Sequence, residues 1–202
     1  MPNELNNIIE KTYQNKLFNI LEIINYSPPQ YDSSWNKKFI KYNPSKRVPD
    51  KKQSKFDFDF KQSNPLNLNN DCLGVYLILS IPTNFAYVGC SNKNLKQRFE
   101  THIQKITATN LNRYYTPINW DTFIITRYEK LKDKNIFLTD LKLTFFNCFD
   151  FKEILQDKGN QEEELEAIIY YFFKKKLKDF NFLNTENSVS NKIFRDKYKN
   201  YW

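Results

Sequence analysis

The stretch LGVYLILSIPTNFAYVGC, Leu73 to Cys90, decides the fold. Leu73 to Ile81 is a continuous apolar run and Phe85 to Val88 a second one, with Pro-Thr-Asn between them. Two short apolar runs around such residues read as a β-hairpin, because proline and asparagine supply turn conformations that a strand does not want. The chain has only three glycines, Gly74, Gly89 and Gly159, and two of them flank strand tyrosines as GVY and YVG. Glycine weakens a strand unless something approaches the backbone closely or the chain bends tightly. Its placement here predicts a site between the two strands.

Downstream of Gly89, CSNKN offers N-cap residues to a helix with Leu95, Phe99, Ile103 and Ile106 on one side. Arg98 and His102, the single histidine, stand at i and i+4 beside that stripe. A guanidinium and an imidazolium repel each other, so the pair calls for an anion or a proton acceptor between them. Phosphate satisfies both: the guanidinium grips it in a fork, and a neutral imidazole holds or moves a proton. Taken singly, a strand tyrosine or a helix histidine is more often structural than functional, so the combination carries the weight. Further on, WDTFIITRYEK has strand character at Phe123, Ile124, Ile125 and Tyr128. LKLTFFNCF, inside an ambiguous region from Lys130 to Gly159, is a candidate for one more strand.

EEELEAIIYYFFKKKL reads as a helix, acidic at its start and basic at its end as the helix dipole favours. Leu165, Ile169 and Phe172 define its buried stripe. Glu166 borders that stripe, Glu163 and Glu164 point further away, and Glu162 competes one turn earlier. Toward the N-terminus, residues 4–26 space Ile9, Tyr13, Leu17, Ile20, Leu21 and Ile24 as one helix, which SPPQY then stops. Residues 27–70 hold nine lysines and arginines against four aspartates, a net of +5 in a chain of net +8. Within this arm KFDFDFKQ alternates like one short half-buried strand. Such a charge excess favours an anionic partner, nucleic acid ahead of a membrane surface.

Several classes fall away. The N-terminus lacks a basic segment followed by an apolar one, so no signal peptide is read. No run approaches the roughly 18 apolar residues of a spanning helix. Cys72, Cys90 and Cys148 form no C-x-x-C pair, and with one histidine a Cys/His metal site is not expected. An odd cysteine count without a framework fits a reducing, cytoplasmic setting.

GVY, then YVG, then KNLKQRFETH resembles the N-terminal half of the GIY-YIG nuclease domain, and LEAIIYYFFKKKLKDFNFLN resembles its C-terminal half. The resemblance covers about residues 72–184. It implies that Tyr76 and Tyr87 point into an active site, where one of them, or His102, acts on the attacking water. Arg98 matches the arginine that binds the scissile phosphate, and Glu166 the glutamate that holds a single divalent metal, Mg2+ or Mn2+. Asn184 falls at the family's terminal asparagine, with Asn181 as the alternative. The interval from Tyr87 to Arg98 is one residue longer than the commonest family spacing, and that from Glu166 to Asn184 is also longer. Relatives often carry a basic residue three after the second tyrosine; here it is Cys90, which leaves Lys93 or Lys96 to supply that charge.

The expected fold is α/β: a small, mostly antiparallel sheet flanked by helices, with an N-terminal helix and basic arm. Residues 1–70 form the helix and the DNA-binding arm, in which Arg47, Lys51, Lys52 and Lys55 are the densest charges; 71–184 form the nuclease core and 185–202 a basic, aromatic tail. The implied function is metal-dependent hydrolysis of phosphodiester bonds in double-stranded DNA, with no membrane role and with a homodimer allowed. A sequence-specific type II restriction endonuclease is preferred on length, since repair and homing members attach larger extra domains. The alternatives are a homing or repair nuclease acting with a partner, and a catalytically silent nucleic-acid-binding module.

Overall fold

The computed structural model describes residues 2–27, 57–91, 94–99, 138–184 and 191–201. The quoted stretch forms the hairpin that its pattern predicts. Strand β4 (Gly74–Ser80) pairs with β5 (Phe85–Ser91) antiparallel, with Tyr76 opposite Gly89, and Asn84 takes a positive φ of 49° in the turn. Strand β6 (Leu141–Asn147) lies on the other side of β4, so LKLTFFNCF does contain a strand.

Two short strands complete this sheet. At one edge β1 (Phe18–Asn19) joins β6, and at the other β7 (Asn181–Phe182) runs parallel to β5. The order is β1-β6-β4-β5-β7, with one parallel pair in an otherwise antiparallel sheet. A separate pair, β2 (Ile24–Ser27) with β3 (Asp57–Phe60), contains the strand expected in KFDFDFKQ.

Side-chain alternation splits the core into two layers. Val75, Leu77, Leu79, Ala86, Val88 and Phe146 face helix α1 (Pro2–Asn15), the long helix α4 (Gln161–Lys176) and α5 (Lys192–Tyr198). Tyr76, Ile78, Phe85, Tyr87, Leu143 and Phe145 face the opposite way, toward α2 (Ile20–Ile23) and the helical residues 95–99, α3. The central strands are therefore buried on both faces, which is why they read as continuous apolar runs rather than alternating ones.

The single N-terminal helix over residues 4–26 is a misreading. The helix ends at Asn15; the chain pairs as β1 and then turns into α2, where Asn19 and Glu22 form a capping box. Leu5 and Ile9 belong to one layer and Ile20, Ile23 and Ile24 to the other, so the apparent stripe is two faces joined by a chain that rounds the sheet edge. Helical spacing alone cannot register that crossing.

Helix α4 also departs from a single-stripe reading. Every residue from Glu164 to Phe173 is buried, because the sheet, α1 and α5 enclose the helix. Tyr13 of α1 packs its ring 4.9 Å from that of Phe173, and Lys176 pairs with Glu10 at 2.7 Å. Glu164 does not point away: it is 0% exposed. Its Oε2 accepts from the backbone N–H groups of Gln156 and Asp157, and its Oε1 from Lys197 Nζ and the Tyr198 hydroxyl. The C-terminal segment thereby reaches the core, with Phe194 and Tyr198 buried against it. No helix among the described residues is long and apolar enough to cross a membrane. The strand expected in WDTFIITRYEK and the helical residues Ile103 and Ile106 lie outside the described residues.

Candidate active site

The two strand glycines are explained by close approach. A Cβ on Gly89 would lie 2.6 Å from both Cζ and the hydroxyl oxygen of Tyr76, whose ring lies across the neighbouring strand at that point. A Cβ on Gly74 would collide with the Phe146 carbonyl oxygen and approach Phe145 Cζ to 2.9 Å. Gly89 thus gives Tyr76 its place, and no larger residue leaves that ring where it is.

Tyr76 is held from above by Phe99 of α3, edge to face at 4.7 Å between ring centroids, and lies 6.2 Å from the Tyr87 ring. Both tyrosines are buried, Tyr76 completely and Tyr87 at 5% exposure. The helix begins where its sequence predicts. Asn94 caps it by accepting from the Gln97 N–H at 2.9 Å, and Leu95 and Phe99, four residues apart, bury the inner face. Arg98, next to Phe99, is left on the exposed side.

Arg98 is the centre of the arrangement. Partial burial works to lower its pKa, but the fields of Tyr76, Tyr87, Cys90 and Glu166 outweigh that and raise it above the ordinary arginine value. An ordinary tyrosine or thiol is uncharged at neutral pH, so Glu166 is the neighbour whose negative charge acts there. Glu166 lies on α4, across the sheet from Phe99, and is 4% exposed. Strand β7 pairs with Phe85 and Ala86 at the start of β5.

The first tyrosine motif, the second, the arginine helix and the glutamate helix therefore converge in the order in which the chain presents them. A family model described as the GIY-YIG catalytic domain matches residues 72–177, just over half of the 202-residue chain. The chain belongs to the GIY-YIG family. It carries the catalytic domain of a nuclease of that superfamily. No curated protein and no solved structure matches it significantly.

Asn184 is placed by a reciprocal pair of hydrogen bonds: its Oδ1 accepts from Val88 N at 2.8 Å and its Nδ2 donates to Val88 O at 2.7 Å. The side chain thus continues the parallel pairing of β7, and Val88 is fixed between Tyr87 and Gly89. Asn181 is exposed and its backbone N–H bonds to Asn84 O at 2.7 Å, so Asn184 is the asparagine beside the motif. Glu162 stands elsewhere, beside Cys148, whose thiol is pushed up to about 12 by burial and by that carboxylate. Lys96 forms an ion pair with Asp59 of β3 at 3.3 Å. His102, Lys93, Arg47, Lys51, Lys52 and Lys55 lie outside the described residues.

Two features escaped the sequence reading. Cys90 appears there only as a departure from relatives, whereas the structure puts it among the neighbours of Arg98. The buried Glu164 network is the second; its one sequence signal is the pairing of an acidic helix start with the Lys-Tyr of a distant tail, which no local pattern connects.

The donor set can be tested against the metal that the family implies. Among the described residues no group of three or more His, Cys, Asp and Glu side chains surrounds a common point, so a zinc-like all-protein cage is not built there. A single buried carboxylate, Glu166, close to the Arg98 guanidinium suits a magnesium-type ion, which commonly takes one or two carboxylates and completes its shell with water and substrate phosphate. The residues fit that ion.

Proposed function

We propose that the protein is a metal-dependent endonuclease that hydrolyses phosphodiester bonds in double-stranded DNA, as a sequence-specific restriction enzyme. The observation that carries this reading is the convergence of Tyr76, Tyr87 and Glu166 on an exposed Arg98. Arg98 keeps its charge at any working pH and presents it to solvent, where a DNA phosphate arrives. Its guanidinium binds the phosphate in a fork and stabilises the negative charge that grows in the transition state.

Of the two tyrosines, Tyr87 has the greater access to solvent. In this reading Tyr87, or His102, takes the proton of the attacking water, and Tyr76 supports it through the phenol that Gly89 accommodates. Glu166 would hold Mg2+ or Mn2+, which would supply Lewis-acid stabilisation of the leaving 3′ oxygen. Asn184 sets the backbone between Tyr87 and Gly89. The net charge of +8, much of it in residues 27–70, gives the same chain a means of holding the duplex while the core cuts.

The test is incubation of the full chain with plasmid and phage DNA and magnesium, followed by mapping of the ends. Discrete fragments with common end sequences, abolished in Arg98→Ala, support the reading. Ends at random positions sink its restriction part, and binding without any cutting identifies a silent nucleic-acid-binding module instead. Cutting that appears only with a second protein added indicates a homing or repair nuclease.

A further inference from the structure

We propose that strand β3 positions the catalytic arginine, with Phe60 and Asp59 as its positioning residues, a role that rests on the nuclease reading above. Packing places the first turn of α3, residues 95–99, in which Leu95 and Phe99 are buried. Leu95 and Phe99 supply the inner contacts, and the exposed Arg98 stands beside Phe99 on the same turn.

Strand β3 meets those neighbours. The Phe60 ring packs edge-on to Phe99 at 5.7 Å, and the Asp59 carboxylate lies 3.3 Å from Lys96 Nζ. Phe99 follows Arg98 directly and Lys96 precedes it by two, so β3 grips the helix on both sides of the arginine. The ring contacts continue inward from Phe60 to Phe99, from Phe99 to Tyr76 and from Tyr76 to Tyr87. One series of rings therefore ties β3, the arginine helix and both motif tyrosines together.

Strand β3 is itself anchored. It pairs with β2 over four residues, the Lys61 N–H bonds to Ile23 O at 2.9 Å, and Ile23 and Ile24 are buried in the tyrosine-side layer. The Asp59 carboxylate is 68% exposed, so its ion pair is weak and sets the helix rotation at most. The Phe60 ring carries the larger share. None of this is needed for the sheet to form, since β2 and β3 make their own two-stranded unit.

The experiment compares Phe60→Ala, Phe60→Tyr and Asp59→Asn in the full chain. A misplacement near 1 Å costs up to about 100-fold in rate. Phe60→Ala is expected to lower the single-turnover rate at saturating DNA by about tenfold or more, with the Kd for DNA changed less than about twofold. Phe60→Tyr, which keeps the ring, restores the rate, and Asp59→Asn costs about twofold or less. The Arg98 Nε–H resonance, read by NMR without DNA, shifts in Phe60→Ala and returns in Phe60→Tyr. A folded Phe60→Ala protein with an unmoved Arg98 resonance, or with a wild-type rate, overturns the proposal. A wild-type protein that cuts no DNA sinks the nuclease reading alone, and the resonance still decides whether β3 positions Arg98.

Discussion

Replacing Glu164 by glutamine tests the least expected feature of the fold. The carboxylate is fully buried and accepts four hydrogen bonds: from Gln156 N at 2.8 Å, Asp157 N at 3.0 Å, Lys197 Nζ at 2.7 Å and the Tyr198 hydroxyl at 2.7 Å. Each oxygen accepts two of them, so a carboxamide turns one end into a donor that faces two donors. Lys197 is 35% exposed and recovers water, whereas Tyr198, 4% exposed, does not. Breaking a buried charged pair costs about 3–5 kcal/mol, and the mixed exposure here puts Glu164→Gln near the lower end, about 3 kcal/mol. Tyr198→Phe loses one bond to a charged acceptor, about 1.5–3 kcal/mol. Urea unfolding measures both. The pH dependence adds a second readout. Burial alone would raise the Glu164 pKa, but the bonds from Lys197, Tyr198, Asp157 and Gln156 outweigh it and the folded value is lowered. Stability from this group is therefore complete above the unfolded glutamate pKa of about 4.3 and is lost as pH falls through the lower folded value. Glu164→Gln should flatten that part of the profile. A variant within about 1 kcal/mol of wild type, with an unchanged acid limb, would refute the reasoning.

Arg98→Ala should lose on the order of 100- to 1000-fold in cleavage rate while DNA binding, followed by filter retention, survives. Glu166→Ala should abolish magnesium-dependent cutting and Glu162→Ala should retain most of it, because Glu162 sits beside Cys148 rather than Arg98; a reversed pattern in the same assay would move the metal one turn along α4. Gly89→Ala should cost about 1–3 kcal/mol by denaturant titration and perturb the Tyr76 ring resonances, since the new Cβ meets that ring at 2.6 Å. Neutralising Arg47, Lys51, Lys52 and Lys55 together should flatten the slope of log affinity against log salt by up to about three units, measured by fluorescence anisotropy on several DNA sequences.

What the sequence showed follows from the range of the forces involved. The hairpin was legible because its strands, turn and paired glycines are contiguous, and because burial on both faces leaves an unbroken apolar run. The α3 cap at Asn94 and the acid-to-base polarity of α4 are equally local. The two-layer split was not legible in residues 4–26, since Ile9 and Ile20 look alike on a helical wheel whichever side of the sheet they reach. Glu164 was misread for a related reason. A carboxylate at a helix start is normally solvated, and only the arrival of Lys197 and Tyr198, more than thirty positions away, makes burial favourable.

The family match ends at residue 177, but the geometry of the site does not. Val88, between the second motif tyrosine and its glycine, takes both its edge hydrogen bonds from Asn184. The helix that carries Glu166 is fixed at its first turn by α5 through Glu164 and at its last by α1 through Lys176 and Glu10. The helix that carries Arg98 is held from outside by β3. Tyr87, Arg98 and Glu166 thus stand on elements of the matched region that are each held in part by chain outside it. Flanking segments therefore supply part of the orientation of these elements. On that argument, changes outside the matched region, at Asn184, Tyr198 or Phe60, should act on the proposed reaction through placement, while changes at Arg98 or Glu166 should act on its chemistry. The two classes separate in a single-turnover assay run beside a stability measurement.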